Sequence, residues 1–300
     1  MNLEGTAVAV IGTGTMGRGI AQIAAAAGLK TRLFDAEAGR AERAIADIGA
    51  QLEKLVQKGK LTADAKDKTL AQLEPQASLG AAANGADLII EAVPESMELK
   101  LAVFKEAMAT AKADCLLASN TSSLSLTELG TRLGAAERTV GMHFFNPPPV
   151  MELLEIVRGL TTSDVAVERA LGYAKLLGKT PIVVNDSPGF ATSRLGVILG
   201  AEAIRMLESG VANAADIDRA MELGYRHPMG PLKLTDLVGL DVRLAILDHL
   251  TKEVGEQFRA PTLLRTMVRA GKLGKKSGQG FYVWKDGVPT LGPAARGGAR

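Results

Sequence analysis

Along the first 187 positions, short apolar runs alternate with longer amphipathic stretches. "TAVAVIG" (6–12), "KTRLFD" (30–35), "DLIIEAV" (87–93), "CLLASN" (115–120), "TVGMHFF" (139–145), "LEIVR" (154–158) and "TPIVV" (180–184) are too short for helices and read as strands. Helical periods fill the gaps. "TMGRGIAQIAAAAG" stops at Gly28, a natural C-cap. Between Glu37 and Lys58, residues Ala41, Ala44, Ile45, Ile48, Leu52, Leu55 and Val56 share one face. Thr62 is placed to cap a second helix, and "SMELKLAVFKEAMATA", "LTELGTRL" and Asp164–Leu177 supply three more. Strands that alternate with amphipathic helices predict a parallel sheet covered on both faces.

After "NDSPG" (185–189) the pattern changes, and only helical periods follow from Pro188 to about Ala270. The expected fold is α/β, a Rossmann-type doubly wound, mostly parallel sheet with an all-helical C-terminal domain. The boundaries read as 1–187 for the first domain, 188–286 for the second, and 287–300 for a Gly/Pro/Ala-rich flexible tail.

Composition narrows the classes. Charged residues are 23 % and the formal net charge is +2, which gives no reason to expect nucleic acid or an acidic membrane as partner. No apolar run approaches the ~20 residues of a membrane helix. The first strand starts by Ala7, which leaves no room for a signal peptide. The single cysteine, Cys115, allows no intramolecular disulfide and fits a reducing cytoplasm. Its apolar surroundings read as those of a buried, inert thiol.

"VAVIGTGTMGRG" sets Gly12, Gly14 and Gly17 in G-x-G-x-x-G spacing between a strand and a helix. In that context Gly12 permits a tight turn, Gly14 admits a pyrophosphate, and Gly17 lets helix and sheet approach. Thr15 and Met16 open the helix, whose N-terminal N–H groups suit phosphate. The second strand ends in Asp35, about 20 residues further on, where a carboxylate accepts from adenosine ribose hydroxyls. Ala36 follows it rather than a basic residue, and a carboxylate repels a 2′-phosphate. NAD is therefore expected rather than NADP.

Oxidation of a secondary alcohol needs a group that takes the hydroxyl proton and returns it in reverse. Histidine titrates near neutral pH and suits both directions. His143 ends a late strand, on the side where open α/β sheets bind ligands. Three prolines, 147–149, stiffen the turn after it. Glu155 lies on the returning apolar run and can fix the imidazole tautomer. The polar cluster "SNTSS" (119–123) offers hydroxyls to a substrate oxygen or the cofactor, or serves only as a capping turn. His227 precedes a proline and His249 sits on a helix surface. Neither has metal-ligand company, so no metal site is expected.

With these segments in order, a resemblance is visible. "GTGTMG", "EAVPESMELK", "SNTSSL", "HFFNPPPVMELLE", "SPGF", "HPMGP", "TDLVGLD" and "GKKSGQGFY" are similar to the short-chain L-3-hydroxyacyl-CoA dehydrogenases, most of all the bacterial 3-hydroxybutyryl-CoA dehydrogenases. The resemblance spans roughly residues 5 to 284. It implies reversible NAD-dependent oxidation of the 3-hydroxyl of an acyl-CoA substrate. His143 becomes the acid/base and Glu155 its partner. Ser122 bonds the 3-oxygen or the nicotinamide end, and Asn146 helps hold the nicotinamide. Asn120, Glu95 and Lys100 become further cofactor contacts. Lys54 and Lys58 are candidates for the coenzyme A phosphates, with Lys60 nearby and Lys275 and Lys276 weaker. The resemblance also implies a homodimer through the helical domain. One position departs: where the family places Asn before Arg after "PGF", this chain has Ser193 before Arg194, which bears on the substrate contact. Two competing readings are a dehydrogenase of a free hydroxy acid or sugar acid and a non-catalytic NAD-binding protein.

Overall fold

The structure is a computed structural model describing residues 5–292. The chain divides into two compact units, Met1–Ser187 and Pro188–Arg300. In the first unit the elements are β1 (Ala7–Ile11), α1 (Thr15–Ala26), β2 (Lys30–Phe34), α2 (Arg40–Gln57), α3 (Ala63–Ala71), β3 (Leu73–Pro75), α4 (Leu79–Ala83), β4 (Leu88–Glu91), α5 (Met97–Met108), β5 (Leu116–Ser119), α6 (Leu126–Leu133), β6 (Thr139–Phe144), β7 (Leu153–Arg158), α7 (Asp164–Leu176) and β8 (Thr180–Asn185). They build one sheet in the order β3-β2-β1-β4-β5-β6-β7-β8. The strand order reverses between β1 and β4, which opens a crevice at their carboxyl ends.

The six strands from β3 to β6 are parallel. β7 runs antiparallel to β6, and β8 is parallel to β7. The alternation pattern did not show this reversal. A parallel crossover needs a dozen or more residues, and the link 145–152 is shorter, so the chain folds straight back. The short strand β3 and helix α4 also lacked a periodic signal.

Glycines set how closely α1 packs. Gly12 has φ +89, and a Cβ there would lie 2.8 Å from the Ala92 backbone at the end of β4. A Cβ at Gly17 would overlap the Gly12 carbonyl. Ile20, Ala21 and Ala24 on the inner face of α1 are then buried against Val8, Val10 and Leu33. On α2 the expected stripe Ala41, Ala44, Ile48 and Leu52 is buried. Thr62 caps α3, accepting from Ala65 N at 3.2 Å.

The second unit contains α8 (Thr192–Glu208), α9 (Ala214–Arg219), α10 (Pro231–Val238), α11 (Leu240–Glu253) and α12 (Thr262–Arg269). Gly239, at φ +108, separates α10 from α11. The helices end in a hairpin of β9 (Tyr282–Lys285) and β10 (Val288–Leu291), paired antiparallel. The expected tail from 287 is thereby corrected at its start, and residues 293–300 lie outside those described. Two fully buried acids tie the hairpin to the helices. Asp236 accepts from Phe281 N at 2.8 Å, Tyr282 N at 2.9 Å and Trp284 Nε1 at 2.9 Å. Asp218 accepts from Tyr282 Oη at 2.7 Å, Leu232 N at 2.7 Å and Lys233 N at 3.0 Å. Cβ atoms at Gly230 or Gly280 would overlap these carboxylates, which explains the glycine of "HPMGP" and the second glycine of "GQG".

Each N–H left unpaired in a buried site costs roughly 1–3 kcal/mol. Asp236→Ala strands three donors, so the second unit should lose at least about 3 kcal/mol in urea unfolding. A loss below about 1 kcal/mol would mean that the hairpin is held by its apolar contacts instead.

Candidate active site

The site in the first unit is assembled at the carboxyl ends of its strands. At the nucleotide end, Gly14 caps α1 with no side chain, and the first turn holds no acid. The N–H groups of Thr15, Met16 and Gly17 have no intrahelical acceptor and carry the positive end of the helix dipole. The place a Gly14 Cβ would occupy has nothing nearer than Arg40 Nη2, at 3.8 Å. Donors and open room together fit the pyrophosphate of a dinucleotide.

Asp35 follows β2. Its Oδ2 accepts from Thr13 N at 2.7 Å and Thr13 Oγ1 at 3.0 Å, and its Oδ1 accepts from Glu37 N at 3.1 Å. Burial pulls its pKa up. The hydrogen bonds from Thr13 and Glu37 and the nearby Arg40 outweigh burial and hold it below the usual carboxylate range. An ionised carboxylate accepts about four hydrogen bonds, so Oδ1 keeps capacity for a ribose hydroxyl.

At the chemical end, antiparallel register sets His143 of β6 directly opposite Glu155 of β7. Directly opposite residues bring their Cβ atoms within about 5.5 Å, so a carboxylate and an imidazole can meet. They do: His143 Nδ1 and Glu155 Oε2 are 2.7 Å apart, with Glu155 fully buried and His143 7 % exposed. The Phe145 ring lies 4.7 Å from the imidazole, centroid to centroid. The turn beyond rests on α1: a Cβ at Gly19 would come within 2.7 Å of Pro148 Cδ. Lys179 Nζ fastens the turn through Pro148 O at 2.6 Å and Met151 O at 2.8 Å. Asn146 is exposed in it.

Between the two ends lies a polar shelf after β5. Glu95 accepts from Thr121 Oγ1 at 2.5 Å, Ser122 N at 3.0 Å, and Ser123 N and Oγ at 3.2 and 3.0 Å. The backbone of Ser122 is thus fixed, while its side chain is exposed and enters no hydrogen bond among the described residues. Asn120 Oδ1 accepts from Phe144 N at 3.0 Å, which joins the shelf to the residue after His143. The carbonyl side of Asn120 thus ties the shelf to β6.

Lys100 is only 1 % exposed. Its ammonium bonds Glu91 Oε1 at 2.7 Å and Val93 O at 3.3 Å, and lies 3.3 Å from Glu95 Oε2. In this arrangement the ammonium is shared between two acids of its own unit. Glu91, which sequence reading missed, also accepts from Ser119 Oγ at 2.7 Å and Val93 N at 2.7 Å. An acid inside the apolar run "DLIIEAV" was the signal that could have found it. Burial raises the Glu91 carboxyl above its usual range despite Lys100. Burial acts on Glu95 in the same sense, but there Lys100 and the shelf's donors win and lower it.

Lys54, Lys58 and Lys60 stand exposed at the end of α2 and just after it, and none is in an ion pair among the described residues. Lys66, by contrast, pairs with Glu53 at 3.0 Å. Lys276 pairs with Asp241, and Lys275 lies over the Trp284 ring. Ser193 sits half-buried in the first turn of α8, in the second unit. No helix among the described residues is long and apolar enough to cross a membrane.

Removing one member of a buried ion pair typically costs about 3–5 kcal/mol. Lys100→Met should destabilise the chain by that amount in urea unfolding, because Glu91 and Glu95 lose their shared cation. Adding Glu91→Gln should recover part of the loss. If the double variant is less stable than Lys100→Met, Glu91 does not depend on Lys100.

Two family models match the chain. The one described as 3-hydroxyacyl-CoA dehydrogenase, NAD binding domain, covers residues 7–187, and the one for the C-terminal domain of the same enzymes covers 189–284. The chain is 43 % identical over 276 residues to a probable 3-hydroxybutyryl-CoA dehydrogenase of Deinococcus radiodurans, a match covering 92 % of this chain and 99 % of the relative. Identity to the 3-hydroxybutyryl-CoA dehydrogenase of Clostridioides difficile is 42 % over 276 residues, covering 92 % and 98 %. The crystal structure of (S)-3-hydroxybutyryl-CoA dehydrogenase PaaH1 from Ralstonia eutropha superposes with a TM-score of 0.89 at 40 % identity, covering 93 % of this chain and 99 % of that one. A dinucleotide cradle, an acid-paired histidine at the end of β6, and similarity of this extent in both units together mean that the chain belongs to the 3-hydroxyacyl-CoA dehydrogenase family.

Proposed function

We propose that this NAD-dependent dehydrogenase interconverts short-chain L-3-hydroxyacyl-CoA and 3-oxoacyl-CoA, with 3-hydroxybutyryl-CoA and acetoacetyl-CoA as its pair. The observation that carries this function is the His143–Glu155 contact of 2.7 Å at the carboxyl end of β6. Glu155 accepts from Nδ1–H, which makes Nε2 the basic nitrogen. His143 takes the 3-hydroxyl proton at Nε2, and the buried Glu155 stabilises the imidazolium that results. In the reducing direction the same nitrogen returns the proton to the developing alkoxide. Bound NAD would supply the acceptor for the hydride leaving the substrate's C3. Gly12, Gly14, Thr15, Met16 and Gly17 would hold its pyrophosphate, Asp35 its ribose, and Asn146 and the shelf its nicotinamide end. Ser122, fixed through its backbone by Glu95, would donate its hydroxyl to the 3-oxygen. Ser193, in the second unit, is the candidate contact for the acyl group.

Coenzyme A carries phosphates, and the exposed Lys54 and Lys58 suit them by charge. The first unit binds the dinucleotide and carries the acid/base. The second contributes to substrate binding and pairs with a second copy, supported by exposed apolar side chains such as Leu195 (63 %), Leu223 (74 %) and Tyr225 (75 %).

Variants of the pair test the acid/base role. His143→Gln should lower kcat at least ~10²-fold, the low end for general acid–base catalysis. Glu155→Gln should also lower kcat while NADH binding, read by fluorescence, is kept. The double variant should be little worse than His143→Gln, since residues that act as a unit are not additive. Multiplied losses would show that Glu155 works apart from His143.

Substrate class is read from NADH oxidation. Acetoacetyl-CoA should be preferred to longer 3-oxoacyl-CoA esters and strongly to free acetoacetate. Lys54→Ala/Lys58→Ala should raise KM for the ester much more than it lowers kcat, because charges on a remote part of the substrate bind ground and transition states alike. Equal use of free acetoacetate would favour a free-acid dehydrogenase. An unchanged KM would move the phosphate contacts away from α2.

A further inference from the structure

Four charged side chains meet beside the cleft that runs past Thr13 and Gly14. Arg40, the first residue of α2, has its Nε 3.7 Å from Asp35 Oδ2 and its Nη2 nearest to the open place above Gly14. Glu37 accepts from Arg40 Nη1 at 3.2 Å and is paired with Arg43 Nη2. The Glu37 N–H in turn donates to Asp35 at 3.1 Å, so the residue is held beside the ribose acceptor. Glu37, Arg40 and Arg43 all line the cleft.

The fold gains little from this cluster. The side chains of Arg40, Arg43 and Glu37 are 44 %, 58 % and 59 % exposed, and ion pairs between such groups add little to stability. Two arginines in the opening turns of a helix also stand at the wrong end of its dipole. Their chemistry suits something else. A guanidinium fork reads phosphate oxygens in pairs, and a ribose 2′-phosphate at Asp35 would fall next to Arg40. Here the forks face an acid already in place. Asp35, Glu37, Arg40 and Arg43 sum to no net charge, and a phosphate dianion gains nothing from a neutral quartet.

We infer that Glu37 is a specificity-determining residue of the cofactor site: it occupies Arg40 and Arg43, which would otherwise bind the 2′-phosphate of NADP, and so reinforces the choice of NAD made by Asp35. Repulsion by Asp35 and sequestration by Glu37 are separate terms. The first acts on the phosphate, the second on the two cations of the cleft that stand beside Asp35; the third lining arginine, Arg18, is paired with Asp47.

The inference rests on Asp35 being the ribose acceptor. The test compares kcat/KM for NADPH and NADH, with acetoacetyl-CoA saturating, in the full-length enzyme. In Glu37→Gln the NADPH/NADH ratio should rise severalfold, up to about fivefold, the scale of one partly exposed charge contact. The gain should vanish in Glu37→Gln/Arg40→Ala/Arg43→Ala. It should also shrink in high salt, which screens exposed charges. An unchanged ratio in Glu37→Gln would overturn the inference, as would a gain that survives in the triple variant. Equal use of NADPH and NADH by the parent enzyme is a different failure. It would remove Asp35 as the discriminating acceptor, and with it the premise.

Discussion

The pairing of β6 with β7 in one particular register is the constraint on which the site depends. Side chains alternate across a strand, so a slip of one residue would send Glu155 to the opposite face of the sheet. Two apolar sets prevent the slip. Met142 and Phe144 on β6, with Leu154 and Ile156 on β7, are all buried, and they flank the polar pair on both sides along the strands. The hydrophobic core thereby sets the distance between acid and base. The turn that joins the strands is anchored at Lys179 and against Gly19 of α1, so the nucleotide helix and the acid/base strand brace one another within the first unit.

Buried charge organises the rest of that unit's site. Glu91 and Lys100 are buried, Glu95 is partly exposed, and each acid serves a different element. Glu91 binds the end of β5 through Ser119, and Glu95 gathers the turn from Thr121 to Ser123. Hydrogen bonds to charged groups are stronger than neutral ones, which suits a shelf that must hold the Ser122 hydroxyl in place. The arrangement is costly in desolvation, and its return is position rather than stability.

Much of this was legible in the chain. Glycine spacing, the acid ending β2 and a histidine at a strand end each carry a local signal, because each depends on a few adjacent residues. Glu155 was nameable for the same reason, as the one acid inside the apolar run 153–158 that follows the proline turn. Strand direction was not legible: an apolar run looks alike whichever way it points, and only the short link 145–152 favoured the reversal. Lys100 and Asn120 were matched to cofactor contacts by resemblance. Seeing Lys100 bound to Glu91, and Asn120 to Phe144, required knowing which strands are neighbours. Asp218 and Asp236 were silent for a similar reason, since their partners lie 64 and 46 residues away.

Cys115 is the only cysteine in the chain and sits fully buried, where desolvation pushes its thiol up to about 12. At neutral pH the thiolate fraction is then on the order of one part in 10⁵, and thiolate is the form that reacts. For labelling chemistry the native surface is therefore thiol-free. A cysteine introduced at an exposed position would be the sole target for a maleimide dye or spin label, with no need to alter the core first.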